Sequence, residues 1–216
     1  MAITFYYGSG SPYAWRVHLA LEHKALPYER KVLSFSAGDT RKPEFVALNP
    51  RHHVPTIVDG DFVLYESNAI VEYLDEAYPG RGQSLFPGDA KNRALIRRLI
   101  LEVDNYFDKA IDEITTQAFN TKTEERDEVK LANARQAVTE EYALFTKAMR
   151  GEFLAGTLSA ADYAFYPLVA FMNRSETKLP NLNADGMLTP QLAAWKARIE
   201  ALPYFDGTIP PHWKES

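Results

Sequence analysis

The stretch that decides the fold of the first part of the chain is Ile3-Thr4-Phe5-Tyr6-Tyr7-Gly8-Ser9-Gly10-Ser11-Pro12-Tyr13-Ala14. Residues 3–7 are β-branched or aromatic, which predicts a short strand that stops at the two glycines. Ser11 and Pro12 then offer a hydroxyl at the N-cap and a proline at the first helical position, so a helix is predicted to begin there. A strand, a glycine turn and a helix in this order open an α/β domain.

The residues up to 78 continue this alternation of strands and helices. Further strands are predicted over residues 28–33, 56–58 and 62–65. Further helices are predicted over residues 40–48 and 67–78. Asp59-Gly60-Asp61, between the last two strands, is a hairpin signal. The order β-α-β-α-β-β-α predicts a small mixed sheet with a right-handed parallel crossover and helices packed against it.

Beyond this first domain the strand signals nearly vanish. Proline–glycine pairs at 79–80 and 87–88 predict a linker over residues 80–89, between a domain of residues 1–79 and an all-α domain of residues 90–216. Ser159 and Asp162 approximate a capping box that starts a helix in the core of the second domain. Apolar residues there recur at helical spacing, beginning with Ile96, Leu99, Ile100, Val103, Phe107 and Ile111.

The composition narrows the classes of function. The chain has 216 residues, of which 46% are hydrophobic and 25% charged, as expected of a globular protein with a sizeable core. A formal net charge of -5 without a basic run argues against a nucleic-acid surface. The sequence shows no stretch long and apolar enough for a membrane span and no N-terminal leader, so a cytoplasmic location is predicted.

The chain contains no cysteine, which excludes disulfides, thiolate metal sites and a cysteine nucleophile. Any thiol chemistry must therefore use a sulfur that a ligand brings. No metal site is predicted either. His18 and His23 are not one helical turn apart, and the adjacent His52 and His53 lack an obvious third ligand.

The predicted helix start at Ser11 has a chemical interpretation besides capping. Free backbone N–H groups and the helix dipole stabilise an anion such as a thiolate, and a hydroxyl donor adds to this effect. In a sheet of this order, thioredoxin-like proteins carry Cys-x-x-Cys at this turn. Ser11-Pro12-Tyr13-Ala14 resembles the Cys-Pro-Tyr-Cys of glutaredoxins with both cysteines replaced, so disulfide exchange by this chain is excluded.

Two further motifs fit a ligand that resembles a peptide. His53-Val54-Pro55-Thr56 precedes the third strand, and Pro55 is either a cis-proline or a plain edge-strand proline. Glu66-Ser67 precedes the third helix, where Ser67 is a candidate N-cap. The Glu66 carboxylate also suits a ligand ammonium, while the Ser67 hydroxyl and nearby N–H groups suit a ligand carboxylate. The head group of an amino acid carries both an ammonium and a carboxylate.

Together, these motifs resemble those of the cytosolic glutathione transferases, and the resemblance covers nearly the whole chain. The motifs are Ser11-Pro12-Tyr13-Ala14-Trp15-Arg16-Val17, Asn49-Pro50-Arg51-His52-His53-Val54-Pro55-Thr56, Glu66-Ser67-Asn68-Ala69-Ile70 and Ser159-Ala160-Ala161-Asp162. The resemblance implies a thioredoxin-like N-terminal domain that binds glutathione and an all-helical C-terminal domain. It also implies activation of the glutathione thiol for attack on a small, hydrophobic electrophile. A non-catalytic binding or interaction module of the same fold is the alternative.

The resemblance to the serine-type classes makes Ser11 the residue that activates the thiol. Other classes use a tyrosine at the end of the first strand, where Tyr6 and Tyr7 stand, and Ser9 is a third alternative. Alternation along the strand sends Tyr6 and Tyr7 to opposite faces of the sheet.

The resemblance also implies which residues hold glutathione. Val54 corresponds to the residue whose backbone pairs with the cysteinyl part, and Pro55 to the cis-proline. Glu66 and Ser67 correspond to the pair that holds the γ-glutamyl head. His53 stands where many members have lysine or glutamine near the glycine carboxylate.

The remaining expectations concern the rim of the site and the partners. Arg41 is expected to share the contact with the glycine carboxylate, and Asp104 to reach the γ-glutamyl amine of a neighbouring subunit, since family members are usually homodimers. Tyr13 is expected at the glutathione site and against the electrophile, together with Tyr106 or Phe107 of the second domain. The sequence leaves open whether the reaction is conjugation, peroxide reduction, isomerisation or dehalogenation.

Overall fold

The computed structural model describes residues 2–214 of the chain. The chain divides into two compact units. The first contains the residues up to Pro87 and those from Pro203 onward, and the second contains Gly88–Leu202. The helices are, in chain order, α1 (Pro12–His23), α2 (Pro43–Val46), α3 (Ser67–Ala77), α4 (Ala90–Glu102), α5 (Asp108–Phe119), α6 (Glu128–Ala148), α7 (Ala160–Arg174), α8 (Pro190–Glu200) and α9 (Phe205–Thr208).

The strands of the first unit form one mixed sheet. They are β1 (Ile3–Tyr7), β2 (Tyr28–Val32), β3 (Thr56–Asp59) and β4 (Phe62–Tyr65), in the spatial order β2-β1-β3-β4. β1 pairs in parallel with β2, and β3 is antiparallel to both β1 and β4. The predicted parallel crossover, hairpin and thioredoxin-like order are therefore confirmed.

The core of the first unit lies between this sheet and α1 and α3. Side chains alternate along β1, where Ile3 and Phe5 are buried and the residue between them is half-buried. α1 is buried along most of its length because α3 and α9 pack against it and its His18 ring meets the Phe5 ring of β1. Its buried N-terminal end sets the position of the residues that precede it.

The structure differs from the sequence-based prediction between residues 39 and 48. In place of one helix over residues 40–48, it has a 3-10 turn, Asp39–Arg41, followed by the short α2. Pro43 explains the break, because proline disfavours helical backbone in the preceding residue. Lys42 accordingly has an extended ψ of 142°.

The second unit is helical, as predicted. Its core is aromatic: the rings of Phe107, Tyr142, Phe145, Phe165 and Trp195 pack together, and all five side chains are buried. A π-helical turn, Val103–Phe107, connects α4 and α5.

The predicted capping box at the start of α7 is present. Backbone and side-chain hydrogen bonds join Ser159 and Asp162 in both directions. The second unit's helices therefore include one whose start is fixed by a motif visible in the sequence. Within residues 2–214, no helix is both long and apolar enough to cross a membrane.

The sequence did not predict where the last residues pack. They were expected to belong to a domain of residues 90–216, but those from Pro203 onward join the first unit. α8 ends at Glu200 and Pro203 follows closely, which stops the helix from continuing. Phe205 is then buried against Trp15 of α1, with ring centroids 6.0 Å apart.

Candidate functional site

The first unit contains a cavity of about 480 Å³ at the N-terminal ends of α1 and α3. It brings together three segments that are distant in sequence: the start of α1, the loop before β3 and the start of α3. The residues that line it are Ser11, Tyr13, Phe35, Asn49, His52, His53, Val54, Pro55, Glu66 and Ser67. Seven of the predicted site residues are in this set: Ser11, Tyr13, His53, Val54, Pro55, Glu66 and Ser67.

Ser11 is the N-cap of α1, as its sequence context predicts. Its Oγ accepts a hydrogen bond from the backbone N–H of Ala14 at 3.3 Å, and Pro12 is the first helical residue. The hydroxyl accepts in this contact, so its own hydrogen is available for donation to a ligand. A donor at a helix N-terminus is suited to stabilise an anion in the cavity.

The loop before β3 is held by Asn49. The buried Asn49 amide donates to the His53 carbonyl at 2.8 Å and to Thr56 Oγ1 at 3.1 Å, and its Oδ1 accepts from the Arg51 N–H. The Val54–Pro55 peptide bond is cis, so that alternative is confirmed over the plain edge-strand proline. Asn49 thus keeps the backbone around Val54 in one conformation at the wall of the cavity.

The start of α3 differs in detail from the prediction. Ser67 is the first helical residue, and the N-cap position belongs to Glu66, which has an unusual φ of +72°. A positive φ is rare for a residue with a Cβ, and such residues cluster at functional sites. Among the residues that the structure describes, no side chain caps this helix start. The Ser67 hydroxyl lies instead 3.5 Å from the Arg16 guanidinium, whose N–H group donates to it.

Arg16 places a buried positive charge next to this cavity. Its side chain is 1% exposed, it lies 3.5 Å from Asn68 Oδ1, and its guanidinium carbon is 4.9 Å from the ring centroid of Tyr13. Because Ser67 Oγ accepts from Arg16, the Ser67 hydroxyl hydrogen can point elsewhere. The positive charge of Arg16 and the Ser67 hydroxyl hydrogen together favour a ligand carboxylate near Ser67.

The alternative thiol-activating residues lie elsewhere in the first unit. Tyr6 packs on Phe45, with ring centroids 6.0 Å apart, and Tyr7 stacks on Phe5 at 5.3 Å. Ser9 Oγ is 2.9 Å from His212 Nδ1. Among the described residues, the side chains that line the 480 Å³ cavity include Ser11 but none of these three.

Two predicted residues are not part of this cavity. Arg41 is exposed in the 3-10 turn and is absent from the described lining. Asp104 lies in the π-helical turn of the second unit, where it is half-buried. Of the two aromatic candidates in that unit, Phe107 is a core residue, whereas Tyr106 is 60% exposed.

Sequence reasoning missed Phe35 and assigned no role to Asn49 or His52. Phe35 is 56% exposed and lies against the backbone of Gly8, where an added Cβ would be 2.2 Å from Phe35 Cζ. No periodicity marks Phe35, since it stands in a loop. Asn49 and His52 lie within the motif of residues 49–56, but no local pattern there gives either residue a role.

His18 is buried in the first unit. Burial, together with the nearby Arg30 charge, lowers the pKa of His18 to about 4, so its ring is neutral at physiological pH. Within residues 2–214, no group of three or more histidine, aspartate or glutamate side chains is arranged to hold a metal ion.

Comparison with known proteins places the chain in a family. Residues 10–77 match the family described as glutathione S-transferase, N-terminal domain, and residues 106–203 match glutathione S-transferase, C-terminal domain. Glutathione S-transferase A of Pleuronectes platessa is 30% identical over 219 residues, which cover 99% of this chain and 94% of that protein. The chain belongs to the glutathione S-transferase family.

Other glutathione S-transferases agree over similar lengths. Glutathione S-transferase D7 of Drosophila melanogaster is 29% identical over 199 residues, covering 89% of this chain and 86% of that protein. The crystal structure of a glutathione S-transferase from the Antarctic clam Laternula elliptica has a TM-score of 0.84 and 32% identity, and the match covers 100% of this chain and 95% of that one.

The family gives the activity. The protein is a glutathione transferase, and glutathione is its co-substrate. The sequence-based assignment of family, enzyme class and co-substrate is therefore confirmed, and the non-catalytic alternative is not favoured.

Proposed function

We propose that this glutathione S-transferase is of the serine type and that Ser11 activates the thiol of bound glutathione. The observation that carries the proposal is the Ser11 hydroxyl at the N-terminus of α1, beside a 480 Å³ cavity, with its oxygen accepting from Ala14 and its hydrogen available. A thiolate placed there accepts the Ser11 hydrogen and lies in the positive field of the helix N-terminus.

The energy needed for activation is within reach of this arrangement. A free thiol has a pKa of about 8.5 and is only a few per cent ionised at neutral pH. Lowering that pKa by about two units ionises most of the thiol at pH 7, which takes roughly 2.7 kcal/mol. A hydrogen bond to a charged group contributes about 1.5–3 kcal/mol, and a helix N-terminus about 0.3–1 kcal/mol. The thiolate then attacks the electrophile, while the thiol proton leaves to solvent.

The rest of the cavity suits the peptide part of glutathione. We propose that the Val54 backbone pairs with the cysteinyl unit and that Glu66 and Ser67 hold the γ-glutamyl ammonium and carboxylate. The positive φ of Glu66 and the Arg16 charge behind Ser67 support this assignment. His53 lines the same cavity and is proposed for the glycine carboxylate. Arg41 is proposed to share that contact, and Asp104 to reach the γ-glutamyl amine of a neighbouring subunit.

We propose a hydrophobic electrophile. Tyr13 and Phe35 give the cavity an aromatic wall, and the exposed Phe35 ring offers apolar surface that solvent otherwise covers. Apolar pockets with a few polar groups are typical of small-molecule sites.

We also propose that the protein is a cytoplasmic homodimer. The second unit exposes Leu101, Tyr106 and Leu144, each at about 60%, and exposed apolar surface of this kind is typical of subunit contacts. The cytosol keeps thiols reduced, which suits an enzyme whose co-substrate is a thiol.

The experiment that tests the proposed function is a pH titration of the thiolate absorbance of glutathione bound to the wild-type protein. It needs no knowledge of the electrophile. We expect a thiol pKa about two units below the free value of about 8.5. Glutathione that binds with an unshifted pKa would contradict thiol activation and favour a module that binds without turnover.

A second prediction concerns Glu66. We expect Glu66→Gln to raise the KM for glutathione about fivefold and to leave kcat unchanged, because it removes the proposed charge pair with the γ-glutamyl ammonium and leaves the Ser11 hydroxyl in place. Asp61→Asn, the same change of charge in the β3–β4 hairpin, is the matched control. A glutathione analogue without the γ-glutamyl amino group should have the same KM with the wild type and with Glu66→Gln. If Glu66→Gln raises the KM for this analogue as much as it raises the KM for glutathione, Glu66 does not pair with the amino group.

A further inference from the structure

Residues 203–214 contact the rest of the first unit on both sides of Ser11. Before Ser11 in the chain, Ser9 Oγ is 2.9 Å from His212 Nδ1. After it, one helical turn along α1, Trp15 Nε1 donates to Thr208 Oγ1 at 2.8 Å. Thr208 is buried, and its hydroxyl donates in turn to the Phe205 carbonyl at 2.8 Å. The segment therefore joins the glycine turn and the first turn of α1.

Gly10 is closely packed, and its backbone conformation disfavours a side chain there. Gly10 has a φ of +87°, and an added Cβ would lie 3.1 Å from His212 Cε1 and 3.4 Å from Trp213 Nε1. The Trp213 ring also meets the Trp15 ring edge to face at 5.4 Å. Only about 20 Å³ of space remains between the glycine turn and residues 208–211. The His212–Trp213 pair thus covers the residue immediately before Ser11.

We propose that His212 is a positioning residue for thiol activation, which fixes through Ser9 and Gly10 the turn that presents the Ser11 hydroxyl to the sulfur. The proposal rests on the proposed role of Ser11. The turn itself is closed by one backbone hydrogen bond, from the Ser11 N–H to the Gly8 carbonyl at 3.1 Å. Because hydrogen-bond strength falls steeply with distance and angle, a small displacement of this turn weakens the contact between hydroxyl and thiolate.

The test compares the thiol pKa and the Kd of bound glutathione in six proteins. They are the wild type, His212→Ala, His212→Asn, Ser9→Ala, the double variant of Ser9→Ala with His212→Ala, and a control. The asparagine amide of His212→Asn would offer a polar group near the position of the imidazole Nδ1, so this variant is the conservative rescue. Tyr204→Phe is the matched control. It removes a contact of the same segment, Tyr204 hydroxyl to His23 Nδ1 at 3.0 Å, but at the far end of α1.

We expect His212→Ala and Ser9→Ala each to raise the thiol pKa by about half a unit to one unit, as the loss of one hydrogen bond predicts. The double variant should equal either single one, since both remove the same contact. His212→Asn should restore most of the shift, and Tyr204→Phe should cause none. The Kd at pH 7 should rise by only the about two- to threefold that the reduced ionisation of the bound thiol itself requires, because His212 does not line the glutathione cavity.

Three outcomes would overturn the proposal. An unshifted thiol pKa in the wild type would remove the proposed function and this inference together. A shift that depends on Ser11 but not on His212 would leave the proposed function intact and remove the role of His212 alone. A Kd for glutathione at pH 7 that rises about tenfold or more, beyond what the pKa change requires, would show that His212 supports binding of the whole ligand rather than thiol activation.

Discussion

Replacing Ser11 by alanine is expected to raise the pKa of the bound glutathione thiol by about one to two units, because a hydrogen bond to a charged group contributes about 1.5–3 kcal/mol. The ionised share at pH 7 then falls from about three quarters to about a tenth. The rate at pH 7 should fall by a smaller factor than the ionised share does, since a thiolate of higher pKa is the better nucleophile. Above both pKa values the variant should match or exceed the wild type. Thiolate absorbance and a pH–rate profile measure the two effects.

Ser11 also caps α1, so the capping role needs its own control. Ser11→Ala costs about 1 kcal/mol at an N-cap, whereas glycine there costs only a few tenths. Ser11→Gly removes the hydroxyl and nearly keeps the cap, and it should raise the thiol pKa as far as alanine does. If Ser11→Ala leaves the pKa low while Tyr7→Phe or Tyr6→Phe raises it, the activating residue is the tyrosine.

The sequence predicted those parts of the site that short local motifs define. Ser11, the Val54–Pro55 pair and Glu66 stand at ends of strands or helices, where capping and turn chemistry is visible in a few neighbouring residues. The mixed sheet then brings these ends to one edge. Local patterns of this kind specify both the strand or helix and the residue at its end, so the sequence could predict where these residues lie.

Other parts of the site depend on packing between distant residues and left no local signal. Ser9 and His212 are 203 positions apart, and their contact follows from the way residues after Pro203 return to the first unit. Arg16 is 1% exposed, although a charged residue in a helix is ordinarily assigned to the surface. Phe35 reaches the cavity from a loop without periodicity. Each of these positions is set by tertiary contacts rather than by propensity.

Replacing Asp162 by alanine is expected to destabilise the second unit by about 3–5 kcal/mol, because it leaves several buried donors without an acceptor. The Asp162 carboxylate is fully buried and accepts four hydrogen bonds. They come from the Leu154 N–H at 3.0 Å, Trp195 Nε1 at 2.9 Å, the Ser159 N–H at 2.9 Å and Ser159 Oγ at 3.0 Å. Urea unfolding followed by Trp195 fluorescence in a variant lacking Trp15 and Trp213 measures the loss.

Ser159→Ala is the matched control for this loss. It removes one donor and the cap hydroxyl but leaves the carboxylate with three partners, so about 1 kcal/mol is expected. Equal losses in the two variants would show that the helix cap, rather than the buried carboxylate network, provides the stability.

Asp162 also gives the free energy of unfolding a dependence on pH. Burial raises the pKa of its carboxyl to about 6, and its hydrogen-bond donors limit the increase. The pKa in the unfolded chain is about 3.9. Between these values the folded protein holds more protons than the unfolded one, so the contribution of Asp162 is greatest below about pH 4 and is lost as the pH rises through about 6. The free energy of unfolding of the wild type minus that of Asp162→Asn should therefore fall by about 2 kcal/mol between about pH 4 and pH 7. A difference that grows over this range would mean that the four donors outweigh burial and keep the folded carboxylate ionised below about pH 4.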